Sequence, residues 1–428
     1  MQRSGMEGTP INGRDARAPR MFSVEEELLL VDVGTGNAVP RAAAVMERYR
    51  LADAAAPGPV LATKPQPEMI AVITPPHSTM EALEADIVAG RTMADRAAQE
   101  VGVRVAALGT SPLSRESRPA RRLCSVPSLD IAGPATGEHL TCGSHIQVSV
   151  DSAEEAVAVL DRIRIWLPVL IALSANSPFW QGQDTGFASY RTRVWSRWPA
   201  TGPLEILGTP AAYRRLVQDM VSAGVVLDED RVYFDARISR YYPAVEIRLA
   251  DVCLLPENAV LLAGLARGLV ETAAREWRDG VPPAPVRSAV LKVAGWKASR
   301  WGLRGDLLDP RTHKPAPAVA VVNTLVDHIR EALQDSGDLD RVEELIDDLL
   351  HDGTAAARQL RVLRRTGGLD HVVIDAVNCT VWAPRSPKAS ALGDTRRMLA
   401  SGFLPAADPL CSPPDQGEAI RQLEANPP

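Results

Sequence analysis

Three consecutive glutamates, Glu25 to Glu27, lie inside an otherwise apolar run, FSVEEELLLVDV, which spans residues 22–33. The GTGN that follows favours a turn, so the run predicts a β-strand that leads into it. Because alternate residues of a strand share a face, Glu25 and Glu27 point together and Glu26 points away. Two like charges side by side repel each other. Either a divalent cation held between them or a solvated strand end explains the pair, and this segment alone does not decide.

Patterning elsewhere predicts a mixture of strands and helices. Further strands are predicted at residues 70–74, 145–150, 227–236 and 244–249. Helices are predicted from an N-cap at Ser78 to about residue 101, from a capping box at Ser152 and Glu155 to about residue 174, and over residues 256–277, 318–334, 338–351 and 354–366. Loops are predicted at residues 118–136 and 176–199, and the second contains three tryptophans and three arginines, which favours a functional loop.

The order of these elements limits the fold class. Strands and helices do not alternate as regular β-α-β units, so we predict an α+β fold with an antiparallel sheet and a helical C-terminal part. No GxGxxG follows a strand and no GxxxxGK[ST] occurs in the chain. Two common nucleotide-binding folds are therefore disfavoured.

Composition limits the compartment and the partners. The chain of 428 residues has a net charge of −6, which gives no electrostatic reason to expect nucleic acid or an anionic membrane as partner. No run approaches the roughly 20 apolar residues that span a bilayer, and residues 1–20 lack the apolar core of a secretory signal. The five cysteines form no CxxC pair, so a cytoplasmic location fits best. We predict a disordered leader at residues 1–20 and a mobile tail at residues 388–428.

Polar side chains recur on single faces of two later strands. His145 and Gln147 share a face of HIQVSV, and Glu246 and Arg248 share a face of AVEIRLAD. A lone strand histidine is more often structural than a ligand, whereas charged residues with apolar neighbours need an ion pair or a site. Arg237, Arg240 and Arg248 together offer guanidinium forks that suit phosphate or carboxylate groups. Together with the glutamates, these residues suit a Mg²⁺–ATP site that transfers phosphate to a carboxylate.

Five blocks of sequence carry a resemblance to a known family. In chain order they are VEEELLLVD, GSHIQVSV, LSANSPFWQGQDTGFASYRTRVWSRWP, DARISRYYPAVEIRLADVCL and KASRWGLRGDLLDPRT, and they cover roughly residues 22–312. The chain resembles the glutamate–cysteine ligase type 2 family, whose members are carboxylate–amine ligases. The resemblance implies a glutamine-synthetase-like curved antiparallel sheet packed with helices, in a catalytic domain at residues 21–387 whose helical C-terminal part begins near residue 315.

The resemblance also implies a reaction and a homodimer. In the family, ATP converts the γ-carboxylate of glutamate to an acyl phosphate, which an amine then attacks. The implied cofactors are ATP and Mg²⁺, and the implied partners are a small amino acid and an amine. The matching positions imply metal ligands at Glu25, Glu27, His145 and Glu246, catalytic arginines at Arg237 and Arg248, cofactor contacts at Arg237, Arg248, Arg300 and Gln147, and substrate contacts at Arg191 and Arg197.

Three positions depart from the family pattern. Gln147 replaces the second histidine of an HxH motif, Ala71 replaces a glutamate of the second strand, and Lys64 replaces an acidic residue upstream. Loss of carboxylate ligands weakens Mg²⁺ binding, and Lys64 would bring a positive charge of its own. Two functions therefore stay open: an ATP-dependent ligase with weak or altered activity, and a non-catalytic homologue that binds a small molecule or scaffolds a partner.

Overall fold

A computed structural model describes residues 18–52, 58–114, 140–224, 226, 228–240 and 242–381. Three predictions lie wholly or largely outside these residues: the leader at residues 1–20, the loop at residues 118–136 and the tail at residues 388–428. The predicted catalytic domain, residues 21–387, extends slightly beyond them. These divisions of the chain stay predictions.

Most of the strands belong to one sheet. The strands are β1 Phe22–Asp32, β2 Val60–Thr63, β3 Met69–Ile73, β4 Val103–Ala106, β5 Gly143–Ser149, β6 Phe179–Trp180, β7 Gln183–Asp184, β8 Thr201–Gly202, β9 Tyr233–Phe234, β10 Ala236–Ile238, β11 Ala244–Asp251, β12 Asp306–Leu308 and β13 Pro315–Pro317. Within the described residues, seven of them form a sheet in the order β10-β11-β5-β1-β3-β2, with β4 also paired to β1. Every pairing in this sheet is antiparallel. The predicted antiparallel sheet is thus confirmed.

Helices cover the sheet and form most of the C-terminal part. They are α1 Ala42–Leu51, α2 Met80–Gln99, α3 Ala153–Ile163, α4 Leu167–Leu173, α5 Tyr190–Trp195, α6 Pro210–Ser222, α7 Pro256–Arg278, α8 Ser288–Trp301, α9 Ala318–Ser336, α10 Leu339–Asp352, α11 Ala355–Thr366 and α12 Leu369–Thr380. Among the described residues, no helix is long and apolar enough to cross a membrane.

The two faces of the sheet carry different side chains. In one half of the sheet, one face packs into a large core together with the buried residues of α7 and α9. The strand residues in this core include Phe22, Val24, Ile146, Val148, Val245 and Ile247. The residues that alternate with them lie on the other face, and they include most of the polar positions singled out in the sequence. Strand alternation therefore separates a hydrophobic face from a polar face of the sheet.

A second core cluster lies at the end of β1. Leu28 to Val31 pack with buried residues of α1, β4 and α12. Because Leu28, Leu29, Leu30 and Val31 are all buried, both faces of β1 are covered here, and the strand reads as a continuous apolar run instead of an alternating one. β1 is thus anchored at one end while its three glutamates occupy the other half.

Two of the helix predictions were wrong in detail. The helix predicted from Ser152 to about residue 174 is divided into α3 and α4, because Pro168 has no N–H to donate and its ring clashes with the preceding turn. The N-cap of α2 is Thr79 and not Ser78: the Thr79 side chain accepts a hydrogen bond from the backbone N–H of Ala82. The N-cap at Ser152 was correct, since its hydroxyl accepts from the backbone N–H of Glu155 at 3.0 Å.

The loop predicted at residues 176–199 contains regular structure. It includes the β6–β7 hairpin and the short helix α5. Its aromatic residues explain the order, since Phe179 is completely buried and Trp195 packs edge-on against Tyr233 at 5.2 Å between ring centroids. The sequence did not predict α12, which contributes to the second core cluster.

Candidate functional site

Cross-strand pairing brings the predicted metal ligands to one face of the sheet. Glu25 of β1 lies directly opposite His145 of β5, and Gln147 of β5 lies opposite Glu246 of β11. Arg237 of β10 lies opposite Glu246 on its other side. Directly opposed residues of an antiparallel pair have their Cβ atoms about 4.5–5.5 Å apart, so these side chains are neighbours.

Glu246 is the centre of an arginine cluster. Its Oε2 accepts a hydrogen bond from Nε of Arg237 at 2.7 Å, and its Oε1 accepts one from Nη1 of Arg248 at 2.5 Å. Burial would raise the pKa of Glu246, but the charge of Arg248, together with the charge and hydrogen bond of Arg237, outweighs it and lowers the pKa. The carboxylate is therefore ionised at neutral pH, and the two guanidinium groups are fixed around it.

His145 lies between two of the carboxylates. Its Nδ1 is 3.4 Å from Oε2 of Glu25 and 4.0 Å from Oε1 of Glu246. Burial and the charge of Arg248 lower the pKa of His145, despite its hydrogen bond with Glu25. The imidazole is therefore neutral at pH 7 and keeps a lone pair. Its Nε2 is buried and has no hydrogen-bond partner among the described residues.

Lys64 contacts both Glu25 and Glu27, the two glutamates of β1 that share a face. Its Nζ lies 2.5 Å from Oε1 of Glu25 and 2.9 Å from Oε1 of Glu27. Burial would raise the pKa of Glu27, but the charge of Lys64 outweighs it and holds the pKa at about 2. In return, burial lowers the pKa of Lys64 less than the two carboxylates raise it. Lys64 is therefore a charged member of this cluster.

The other two departures from the family pattern also lie on this face. Ala71 of β3 lies directly opposite Glu27 and is completely buried, so a glutamate at position 71 would place its carboxylate beside that of Glu27. Gln147 lies opposite Glu246, where a histidine would add a second imidazole. The three departures thus concern the same cluster of carboxylates.

Three side chains fit a single divalent cation. One ligand atom each from Glu25, His145 and Glu246 lies within 4.8 Å of the others. Two carboxylates and a neutral imidazole are suitable ligands, and Nδ1 is the ring nitrogen that lies near both carboxylates. Glu27 fits less well, since Lys64 contacts its Oε1 and the backbone N–H of Gly143 donates to its Oε2 at 2.8 Å.

The family match agrees with this geometry. The model of the glutamate-cysteine ligase family 2 matches residues 21–375. The chain belongs to this family. A relative from Streptomyces avermitilis with the provisional name glutamate–cysteine ligase 2-1 is 49% identical over 361 residues, which are 84% of this chain and 99% of that protein. A relative from Streptomyces coelicolor with the provisional name glutamate–cysteine ligase 2 is 48% identical over 371 residues, 84% of this chain and 99% of that protein.

Solved structures support the fold of this member of glutamate–cysteine ligase family 2. The glutamate–cysteine ligase of Francisella tularensis in complex with AMP matches with a TM-score of 0.58 and 14% identity, over 85% of this chain and 89% of that one. A bifunctional glutathione synthetase from Pasteurella multocida matches with a TM-score of 0.60 and 15% identity, over 85% of this chain and 51% of that one. At such identities the likeness concerns the fold alone. The predicted α+β, glutamine-synthetase-like class is thereby confirmed.

Arg191, a predicted substrate contact, is buried next to Gly143 of β5. Its Nη1 donates to the carbonyl of Leu249 at 3.0 Å, its Nη2 donates to the carbonyl of Arg248 at 3.3 Å, and Asp251 is 3.9 Å away. Arg191 therefore holds the backbone of β11 at Arg248 and Leu249, close to Glu246 on the same strand. Its contact with substrate stays a prediction.

Arg197 and Arg300 lie in the aromatic part of the molecule. Arg197 is exposed just beyond α5. The guanidinium of Arg300 lies over Phe187, with its carbon 5.1 Å from the ring centroid, and 5.9 Å from the ring of Trp301. No contact joins Arg300 to the carboxylate cluster among the described residues, and the predicted cofactor role of Arg300 stays a prediction, as does the substrate role of Arg197.

Sequence reasoning missed Asp251 in this family member. Its carboxylate accepts hydrogen bonds from the backbone N–H of Asn176 at 2.9 Å, the hydroxyl of Ser177 at 2.7 Å and the hydroxyl of Ser189 at 2.9 Å. It thereby fixes both ends of the hairpin segment relative to β11. The only signal was an aspartate at the end of a strand with apolar neighbours, which calls for polar partners.

Proposed function

We propose that the chain is an ATP-dependent carboxylate–amine ligase that forms an amide through an acyl phosphate. The observation that carries the proposal is the convergence of Glu25, His145 and Glu246 with Arg237 and Arg248 on one sheet face. Membership of glutamate–cysteine ligase family 2 and the names of its relatives support the reaction class. Glutamate and cysteine are the substrates that those names suggest.

In this proposal, Glu25, His145 and Glu246 hold Mg²⁺. When bound there, Mg²⁺ would neutralise charge on the phosphates of ATP. Glu246 holds Arg237 and Arg248 in place, and guanidinium groups fixed in this way suit phosphate oxygens. The arginines therefore fix the phosphoryl group and stabilise the charge that develops during its transfer. Gln147 and Arg300 are the further cofactor contacts proposed.

The reaction consists of two transfers. A carboxylate oxygen of the acid attacks the γ-phosphorus of ATP, the bond to the bridging oxygen breaks, and ADP leaves. The amine then attacks the acyl carbon, and phosphate leaves with the electrons of the C–O bond as the nitrogen loses a proton. Arg191 and Arg197 are proposed to hold the amino-acid substrate.

A non-catalytic homologue is the second candidate. The observation that favours it is that each of Glu25, Glu27 and Glu246 contacts a basic side chain of the protein itself. Such pairing satisfies the carboxylates without a cation. This candidate predicts that the chain binds a small molecule or a partner protein without turnover.

Calorimetry and turnover together distinguish the candidates. The full chain is titrated with ATP, with and without Mg²⁺ and glutamate, and phosphate release is then measured with a panel of amines. A ligase should bind ATP only with Mg²⁺ and release phosphate only when acid and amine are both present. Glu246→Ala should abolish both, whereas Glu154→Ala, at an exposed position of α3, should change neither. Full activity in Glu246→Ala would refute the proposed site.

We propose the same partners and location that the sequence suggested. The chain is a homodimer in the cytoplasm with small-molecule substrates, and it binds neither nucleic acid nor membrane. Light scattering coupled to gel filtration should give twice the chain mass of 46.0 kDa. A mass of one chain at micromolar concentration would contradict the homodimer.

A further inference from the structure

We propose that Lys64 is a built-in cation that takes the place of a divalent ion between Glu25 and Glu27, so that the chain alone binds one divalent cation, at Glu25, His145 and Glu246. This inference deepens the proposed function, because it concerns the same site. It implies that the site needs one divalent ion, because Lys64 fills the position between Glu25 and Glu27.

The position of Lys64 is that of a bridging ion. One ammonium nitrogen lies 2.5 Å from a carboxylate oxygen of Glu25 and 2.9 Å from a carboxylate oxygen of Glu27. A divalent cation shared by neighbouring carboxylates would contact the same two oxygens. An ammonium group has three N–H donors, so it can bond both carboxylates and keep one donor. Lys64 therefore occupies the space of such an ion and supplies one positive charge where the ion would supply two.

The remaining oxygen of Glu27 is also engaged. Its Oε2 accepts the backbone N–H of Gly143 at 2.8 Å. Position 143 is closed to larger residues, since a Cβ there would lie 2.1 Å from Nη2 of Arg191. The backbone can thus approach Glu27 closely and keep this oxygen occupied. Glu27 has a complete set of partners without a metal ion.

The formal charges of the cluster also favour a single divalent ion. Three carboxylates, Glu25, Glu27 and Glu246, face three cationic side chains, Lys64, Arg237 and Arg248. The formal charges of these six side chains cancel. One divalent ion at Glu25, His145 and Glu246 leaves a positive site for the phosphates of ATP. A second ion beside Lys64 would be repelled at close range in a partly buried position.

Small residues on β2 and β3 leave space for the side chain of Lys64. Ala71 lies opposite Glu27, and Ala62 of β2 lies opposite Ala71, so only methyl groups project from this part of the face. Lys64 follows β2 two residues after Ala62 and continues on that face. A glutamate at position 71 would compete for the ammonium group. The alanine at 71 and the lysine at 64 are therefore compatible as a pair.

The alternative is that Lys64 forms an ordinary ion pair with Glu25 and Glu27. In that case, removal of the Lys64 charge would leave the number of bound metal ions unchanged. Mn²⁺ binding to the full chain, without nucleotide, separates the two, and electron paramagnetic resonance counts the bound ions. We expect one Mn²⁺ per chain for the wild type and for Lys64→Arg, which keeps the charge. We expect two for Lys64→Met, which frees both glutamates. Lys314→Met, at an exposed position near β13, is the matched control and should bind one.

Two results would overturn the proposal: a wild-type count other than one, or a count of one in folded Lys64→Met. Circular dichroism establishes folding. If Lys64→Met does not fold, Lys64→Gln carries the same expectation, and the wild-type count still decides by itself. Because nucleotide is absent, the count is independent of catalysis. Failure to bind ATP would refute the proposed ligase and leave this result standing.

Discussion

Glu25 and Glu26 are adjacent in sequence and meet different surroundings. Glu26 faces the helices and is completely buried with Arg91 of α2, whose Nε and Nη2 donate to its two oxygens at 2.8 and 2.6 Å. Arg91 also donates to the carbonyls of Cys253 and Leu254 at 2.6 and 2.8 Å. This ion pair joins β1, α2 and the segment before α7, so it is a structural counterpart to the polar face.

Removal of one partner of this pair should be costly. Glu26→Gln leaves the guanidinium of Arg91 buried without a counter-ion, and we expect the free energy of unfolding to fall by about 3–5 kcal/mol in urea denaturation. Replacement of both residues by apolar ones, Glu26→Leu with Arg91→Met, should recover much of the loss. Arg330→Gln, which breaks an exposed pair with Glu343, should leave the midpoint unchanged. Equal urea midpoints for wild type and Glu26→Gln would contradict a stabilising ion pair between Glu26 and Arg91.

At this scale the sequence predicted orientation better than partners. Strand periodicity alone separated Glu26 from Glu25 and Glu27. The contact of Lys64 with both glutamates depends on β3 lying between β1 and β2 in a particular register, which no local pattern contains. Asp251 was missed for a similar reason, since its partners come from a segment about 60–75 residues earlier in the chain.

Two helical glycines should respond to the same substitution with opposite signs. In α2, a Cβ on Gly90 would lie 2.3 Å from Cγ1 of Val72 and 3.1 Å from Cβ of Pro59, both of them stiff neighbours. We expect Gly90→Ala to destabilise the protein by about 1–3 kcal/mol through overpacking. In α8, the nearest atom to a Cβ on Gly295 is Cδ1 of Ile171 at 3.5 Å. Gly295→Ala should stabilise by about 0.5–1 kcal/mol, the gain in helix propensity.

Thermal unfolding of the two variants checks this pair. A rise in midpoint for Gly90→Ala would mean that α2 and β3 are less closely packed than described here. A fall for Gly295→Ala would mean that α8 needs a glycine for a reason other than space. Because both positions are inside helices, the difference between them isolates packing from propensity.

His328 gives the junction of α4 and α9 a pH dependence. Its ring stacks on Trp166 at 4.5 Å between centroids, and burial together with the charge of Arg311 lowers the pKa of His328 to about 4. In the unfolded chain the group titrates near 6.5. Between these values the unfolded state binds more protons, so stability is lost as the pH falls from 6.5 towards 4.

The expected loss from His328 at pH 5 is about 2 kcal/mol relative to pH 7.5. His328→Phe keeps the stacked ring and removes the titration, so its unfolding free energy should fall by that much less over the same range. His371→Gln, at an exposed histidine of α12, should keep the wild-type dependence. Parallel pH profiles for wild type and His328→Phe would contradict a buried neutral imidazole.

The sequence predicted elements well where one local signal dominates. The capping hydroxyl of Ser152 gave the start of α3, and the apolar periodicity of α7 and α9 gave both helices at nearly the observed bounds. Pro168 lay inside a continuous apolar pattern, and the pattern obscured its effect. The β6–β7 hairpin and α5 are short and depend on Asp251 and on aromatic packing from distant residues, so local patterns did not predict them.

At the scale of the whole molecule, the site exists only when the sheet is complete. Glu25, His145 and Glu246 come from three strands that are adjacent in space and more than 200 residues apart from first to last. The α+β class followed from the order of elements. The strand order β10-β11-β5-β1-β3-β2 followed from no local pattern, because it places strands from opposite ends of the fold side by side.

This arrangement links ligand binding to global stability. A ligand that contacts β1, β5 and β11 together has no equivalent site in the unfolded chain, so it stabilises only the folded state. With Mg²⁺ and ATP at about 100 times the dissociation constant, we expect a gain of about 2.7 kcal/mol in unfolding free energy, seen as a higher thermal midpoint.

ATP with EDTA should give little shift of the thermal midpoint. Glu246→Ala should lose the shift and Glu154→Ala should keep it. A shift that persists in Glu246→Ala would place the nucleotide elsewhere, because Glu246 fixes both Arg237 and Arg248 at the centre of the proposed site.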